Sequence, residues 1–243
     1  MQIATGVDGL HQQIVMMTSV DFLIERFFKC LRAYDRDCPF TRYGQLEYHV
    51  ATIERRRALG SAQAALDDHD FKWSLYQTLQ AWQIGQRASR LKSFSAFENA
   101  LSARASEIGE LDRFTIDQAD LDVRAVGERL AELVQGLEIV ENKARVVPGS
   151  KALHHVLPDL VVPIDRAYTQ KFFEWPTSRF QYAPEGCFVE AFEAFVKIAQ
   201  ATNPKQYVGA GWYTSRTKVI DNAIVGLWCL VKAEAKKREE KKA

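Results

Sequence analysis

The sequence predicts an all-α fold of about ten helices. Three observations carry this. Apolar residues recur at helical spacing in segment after segment, while a period-two alternation is almost absent. The apolar stripes are punctuated by Ser, Asp, Gly and Pro at positions that start or stop helices. No repeat of fixed period runs through the chain, which argues against a solenoid. With 243 residues, the chain is long enough to bury a core either as one large domain or as two small helical lobes sharing a cleft.

Residues 1–17 are weakly patterned and read as a loose leader before a helical unit spanning 18–232. Thr18-Ser19-Val20-Asp21 is a capping signal, and Phe22, Leu23, Phe27, Phe28 and Leu31 share one face of the helix behind it, which should end near Tyr34 and Asp35. After a loop over 37–43, a second helix is expected over 43–66, with Glu54-Arg55-Arg56-Arg57 as an exposed run. That basic triplet is either a solvated face or a phosphate contact. Asp67-Asp68 cap a helix over 69–84 whose buried stripe is Leu75, Leu79 and Trp82. Gly85 stops it, and Arg87 and Arg90 follow beside exposed backbone amides, a plain glycine C-cap or a phosphate contact with Trp82 walling a pocket. Further helices are expected over 94–105 and 121–137, joined by a polar connection over 112–119.

Residues 147–173 are the stretch around which the rest is organised. Pro148-Gly149 reads as a turn in which Gly149 lets the backbone approach a neighbour, with Ser150-Lys151 opening a helix that Leu157-Pro158 ends. Pro163-Ile164-Asp165 then sets a carboxylate at the N-cap of a second helix, with Arg166 to Thr169 behind it. Beyond it, 175–186 reads as a loop, Phe188, Phe192, Phe195 and Ile198 as an amphipathic helix, and Asn203-Pro204 as its stop. A Gly-rich approach carries Trp212-Tyr213 and a Thr214-Ser215 cap into a last helix with Asp221 and Asn222 in its second turn. After Trp228 the chain becomes Lys/Glu-rich, and 233–243 reads as a frayed, charged tail.

The balance of 47% hydrophobic and 26% charged residues is that of a soluble globular protein, and 32 basic against 31 acidic residues leave no global field announcing nucleic acid. Any DNA-binding surface must therefore be local. Cys30, Cys38, Cys187 and Cys229 are scattered without a paired spacing, so reduced thiols in the cytoplasm are expected, with neither a zinc site nor a disulfide framework. No membrane span and no signal-peptide pattern is present in the sequence. His154 and His155 are adjacent on a helix, so their side chains diverge by about 100° and read as cap-and-core residues, with no metal expected.

The order Val147-Pro148-Gly149-Ser150-Lys151, helix, Ile164-Asp165-Arg166, helix resembles the helix-hairpin-helix DNA glycosylase superfamily. The resemblance is close over about 135–175 and extends elsewhere only as an all-helical pattern. It implies two helical lobes around a central cleft, no cofactor, and a monomer that excises a damaged or modified base from double-stranded DNA, a hypermodified phage base included. That places the protein at the nucleoid, in DNA repair or in antiviral defence. Asp165 falls on the position of the family's catalytic aspartate and Lys151 on that of the lysine of its strand-cleaving members. The family's second hairpin glycine is absent here, and Lys151 and Asp165 stand fourteen positions apart, about one helical turn short of the usual spacing. Lys151 is thus either an amine nucleophile or a plain cation.

Breaking an N-glycosidic bond builds positive charge on the sugar of a base taken out of the stack. This chemistry asks for a carboxylate, for which Asp165 is the candidate with Asp221 in reserve, and for aromatic walls, for which Trp82, Trp212 and Tyr213 are candidates. Phosphate would be held by the amides of Gly149 and Ser150 and by Arg87, Arg90 and Arg166. Two other readings stay open: a non-catalytic helix-hairpin-helix DNA-binding module, and an all-α protein-interaction domain.

Overall fold

The computed structural model describes residues 20–42, 44–85 and 89–240. The leader, the Thr18-Ser19 cap and Arg87 lie outside them. Thirteen α-helices occur among the described residues, with one antiparallel bridge between Leu91 and Val140 and no strand. The all-α expectation therefore holds. None of these helices is long and apolar enough to cross a membrane.

Local chemistry sets many of the boundaries. Helix α1 (Val20–Glu25) and α2 (Phe27–Asp37) replace the single expected helix, broken at Arg26. Helix α3 (Gln45–Ala58) ends ahead of Gly60, whose φ of +78° interrupts the expected run to residue 66 and starts α4 (Ala62–Asp67) under a Ser61 cap. Asp68 caps α5 (His69–Ala81), its carboxylate accepting from the Phe71 amide at 2.5 Å. Ser93 caps α6 (Phe94–Ser102), which α7 (Ala105–Leu111) follows, and Asp122 caps α8 (Val123–Gly136).

The organising stretch differs from its reading. Helix α9 (Val146–Val156) begins before Pro148, so Pro148, Gly149 and Ser150 are helical and buried. Gly149 is needed for a close approach of two helices: a Cβ there would lie 2.9 Å from the Val134 carbonyl oxygen of α8. The expected turn does not exist, because the proline sits in the first helical turn, where its missing N–H costs nothing.

Helix α9 ends ahead of Pro158, and α10 (Thr169–Phe172) is short. The expected loop over 175–186 contains α11 (Thr177–Tyr182). Helix α12 (Pro184–Thr202) stops at Asn203 with φ +46°, ahead of a 3₁₀ turn (Pro204–Tyr207). Helix α13 (Arg216–Glu240) runs well past Trp228, where fraying was expected.

Helices α3 to α7 pack mainly on one another, α2 lies along α13, and α8 along α12. Helix α9 touches α8 as well as α3, α4 and α5, so it joins the two groups within one hydrophobic core. That central position is what brings distant residues to its two ends.

Candidate functional site

A cavity of about 890 Å³ opens where the N-terminal turn of α9, the Pro163 to Tyr168 segment, the Pro39 to Arg42 loop, the end of α5 and the start of α13 converge. This lies in the size range of small-molecule pockets. Lys151, Asp165, Arg166, Trp82, Trp212 and Asp221 all line it. The bridge between Leu91 and Val140 holds the segment before α6 against the one before α9, and Ser89 donates to the Ala144 carbonyl at 3.3 Å, fixing one wall.

Asp165 is half-buried and acts as a cap. One carboxylate oxygen accepts from the amides of Tyr168 at 2.7 Å and Thr169 at 3.3 Å, which turns its other oxygen away from the cap. Lys151 sits on the far wall with its ammonium 5.3 Å from the Trp82 ring centre. Burial lowers the Lys151 pKa, opposed by Asp165 and Asp221 and assisted by Lys218. Lys218 was not anticipated. Its Nζ donates to Asp221 at 2.6 Å and to the Asn222 amide oxygen at 2.7 Å, while Asn222 donates to the Trp212 carbonyl at 3.0 Å. The ammonium also faces the rings of Trp212, Phe40 and Tyr34, at 4.9, 5.4 and 5.8 Å. Burial raises the Asp221 pKa against the pull of Lys218.

Several expected contacts fall elsewhere. The Gly149 amide is spent on the Arg145 carbonyl at 2.8 Å, and Ser150 lies fully buried, its hydroxyl accepting from the Ile164 amide at 3.1 Å and donating to the Val147 carbonyl. Neither amide is presented to a ligand. Tyr213 points away from the cavity, its hydroxyl on Asp35 at 2.6 Å and its ring edge-on to Tyr34. Arg90 is exposed, 3.5 Å from Glu141, and does not line the cavity. Arg56, expected on a solvated face, is buried between the Val156 carbonyl and Asp112, because α4 and α7 close over it.

The rim holds cations that the sequence left unmarked: Arg42, Lys143 and Arg145 beside Arg166. Asn222, Phe40, Gln45 and Tyr168 were likewise not singled out as wall-forming, and only Lys218 left a cue. It and Arg216 are basic residues in the first turn of α13, where the helix dipole disfavours them unless acids lie close. Those acids are Asp221 and Asp117.

Behind the wall three histidines, His49, His154 and His155, are fully buried between Trp82 and Trp212. His155 Nδ1 lies 2.8 Å from the Lys151 carbonyl, which can only accept, so that nitrogen carries the proton. Its Nε2 must then accept from His49 Nδ1 at 2.9 Å, leaving His49 Nε2 to accept from Thr214 at 2.7 Å. The chain is complete only with neutral rings. No group of three His, Cys, Asp or Glu side chains among the described residues is arranged to hold a metal ion.

Burial lowers all three histidine pKa values, that of His155 from 6.5 to about 4. Below pH 6.5 the unfolded chain takes up protons that the folded chain refuses, so stability is full above that value and falls toward pH 4. His155 alone should then remove about 2 kcal/mol between pH 7 and pH 5, with His49 and His154 adding to it. Urea midpoints at the two pH values check this; equal midpoints would show that the stack accepts protons without unfolding. No protein-family model matches this chain, and neither a curated protein nor a solved structure proved similar to it, so its chemistry has to be read from its own residues.

Proposed function

We propose that this protein is a DNA N-glycosylase of the helix-hairpin-helix type that excises a damaged or modified base swung out of the duplex. The supporting observation is that the Asp165 carboxylate and the Lys151 amine, on different elements, open onto one aromatic-walled cavity of about 890 Å³. On this reading, α3 to α7 form one lobe and α1, α2, α8, α12 and α13 the other, with α9 between them and the cavity as the cleft.

In this mechanism the base enters between Trp212 and Trp82, out of the stack and away from water. As the bond from the base to C1′ lengthens, positive charge grows on the sugar, and the oxygen of Asp165 that is not engaged in capping stabilises it. Water then adds to C1′, one of its protons passes to Asp165, and the base departs with its bonding electrons and takes up a proton. Lys151, its pKa lowered by burial, supports a second route in which the neutral amine adds to C1′ and leads to strand cleavage; as an ammonium it would hold a phosphate instead.

Arg42, Lys143, Arg145 and Arg166 supply a local basic rim that suits the DNA backbone despite a net charge of +1. The phosphate contact moves from Gly149 to the first turn of α9, where Val146 and Val147 face the cavity and helix amides lack helical partners.

Asp165→Asn is expected to lower base release by about a hundredfold or more, because asparagine keeps the cap but not the charge. Mass spectrometry of bases freed from a panel of damaged and phage-modified DNAs reads this, beside a thermal melt that should not move. Unchanged turnover in the variant would sink the assignment. Binding of DNA with no turnover in the wild type would favour a non-catalytic module. For Lys151, borohydride trapping of a protein-DNA adduct separates the two routes.

A further inference from the structure

Lys218 and Asp221 form an ion pair that the proposed cleavage chemistry does not use. Their side chains are 1% and 7% exposed, on adjoining turns of α13, and both line the cavity. Stability gives little reason for the pair, since a buried ion pair is seldom better than apolar groups of the same size.

What the pair has left to offer is specific. Lys218 carries three protons and places one on Asp221 and one on Asn222; no described acceptor takes the third. Asp221 uses one oxygen on Lys218, and its other oxygen has no described partner yet is not sealed from the cavity. Asn222, anchored on the Trp212 carbonyl, keeps the ammonium from swinging away. A donor that can only donate thus stands beside an acceptor that can only accept, next to the Trp212 and Phe40 rings.

We propose that Lys218 and Asp221 read the edge of the bound base and select one with an exocyclic carbonyl oxygen beside a ring N–H, as in uracil-, hypoxanthine- or guanine-type bases. The alternative edge, an exocyclic amino group beside a bare ring nitrogen, also pairs one donor with one acceptor. Depth decides between them. The donor Lys218 is the more recessed of the two, so the atom that reaches it must project beyond the ring. On the first edge that atom is a carbonyl oxygen, which accepts from the ammonium. On the second it is an amino group, which meets the ammonium donor to donor.

The inference rests on the base-binding half of the proposed function and not on the cleavage step. Its test is calorimetric titration of the full chain with free bases in two size-matched pairs, hypoxanthine against adenine and uracil against cytosine. The carbonyl member of each pair should bind about tenfold tighter or more. Asp221→Asn, whose amide can present either an oxygen or an NH₂ group, should bring the members of each pair together, with folding checked by circular dichroism. If that variant does not fold, the wild-type pairs decide alone. Equal affinities within both pairs, a preference for adenine or cytosine, or no binding of any of the four would overturn the inference. The preference without base release from DNA would remove the glycosylase chemistry and leave the edge reading standing. Release of adenine-type bases alone would do the reverse.

Discussion

Gly226→Ala will cost the fold about 4 kcal/mol or more, a large part of the stability of a typical domain. Gly226 is the point at which α13 crosses α2, and a Cβ there would fall on the carbonyl oxygen of Cys30, 2.7 Å from its carbon and 3.0 Å from the Tyr34 nitrogen. All three atoms belong to the backbone, so no side chain can swing aside. The helices must part along a contact buried around Cys30, Tyr34 and Ala223, and well-packed interiors relax poorly. The same displacement would shift Lys218 and Asp221, two turns earlier on α13, relative to Tyr34 and Phe40. Gly186→Ala is the control: it lies in α12, a Cβ there meets nothing within 4 Å, and it should be neutral or stabilising by about 0.5–1 kcal/mol. Urea unfolding followed at 222 nm compares the two. A Gly226→Ala protein within about 1 kcal/mol of wild type would show that the α2–α13 contact has slack.

Lys218→Met is expected to destabilise by about 3–5 kcal/mol, because it strands the Asp221 carboxylate in an apolar wall. The sign with pH identifies the cause. Burial already raises the Asp221 pKa, and loss of the Lys218 ammonium raises it further. The folded variant then holds a proton that the unfolded chain releases as pH rises, so its deficit relative to wild type should be smallest near pH 4 and grow toward pH 7. Adding Asp221→Leu should restore most of the loss, since an apolar pair of similar volume needs no compensation. A deficit that is constant with pH, or one left unrepaired in the double variant, would mean that packing of the lysine stem matters more than the charge.

The start of the α5 helix at Asp68, the Asp165 cap and the Ser215 cap were legible because each depends on a side chain bonding to an amide three residues away. Asp165, Lys151, Trp82, Trp212, Asp221 and Arg166 were picked out for their chemical types and motif positions, and they meet in one cavity. Gly149 shows the opposite case. A glycine after a proline has the same local signature in a turn and in the first turns of a helix, and only the presence of Val134 across the contact tells them apart. His49, which reaches His155 from 106 positions away, left no local signal.

What the chain's own order of residues determined is the class of fold, the caps and the types of side chain available for chemistry, since these follow from interactions within about one helical turn. The tertiary structure alone decided that α9 is a buried crosspiece, that Lys218 and Asp221 form a pair turned into the cavity, and that Tyr213 and Arg90 stay out of it. Such outcomes depend on which helices approach one another and how closely. That is governed by close packing between residues far apart in the chain, which no local pattern encodes.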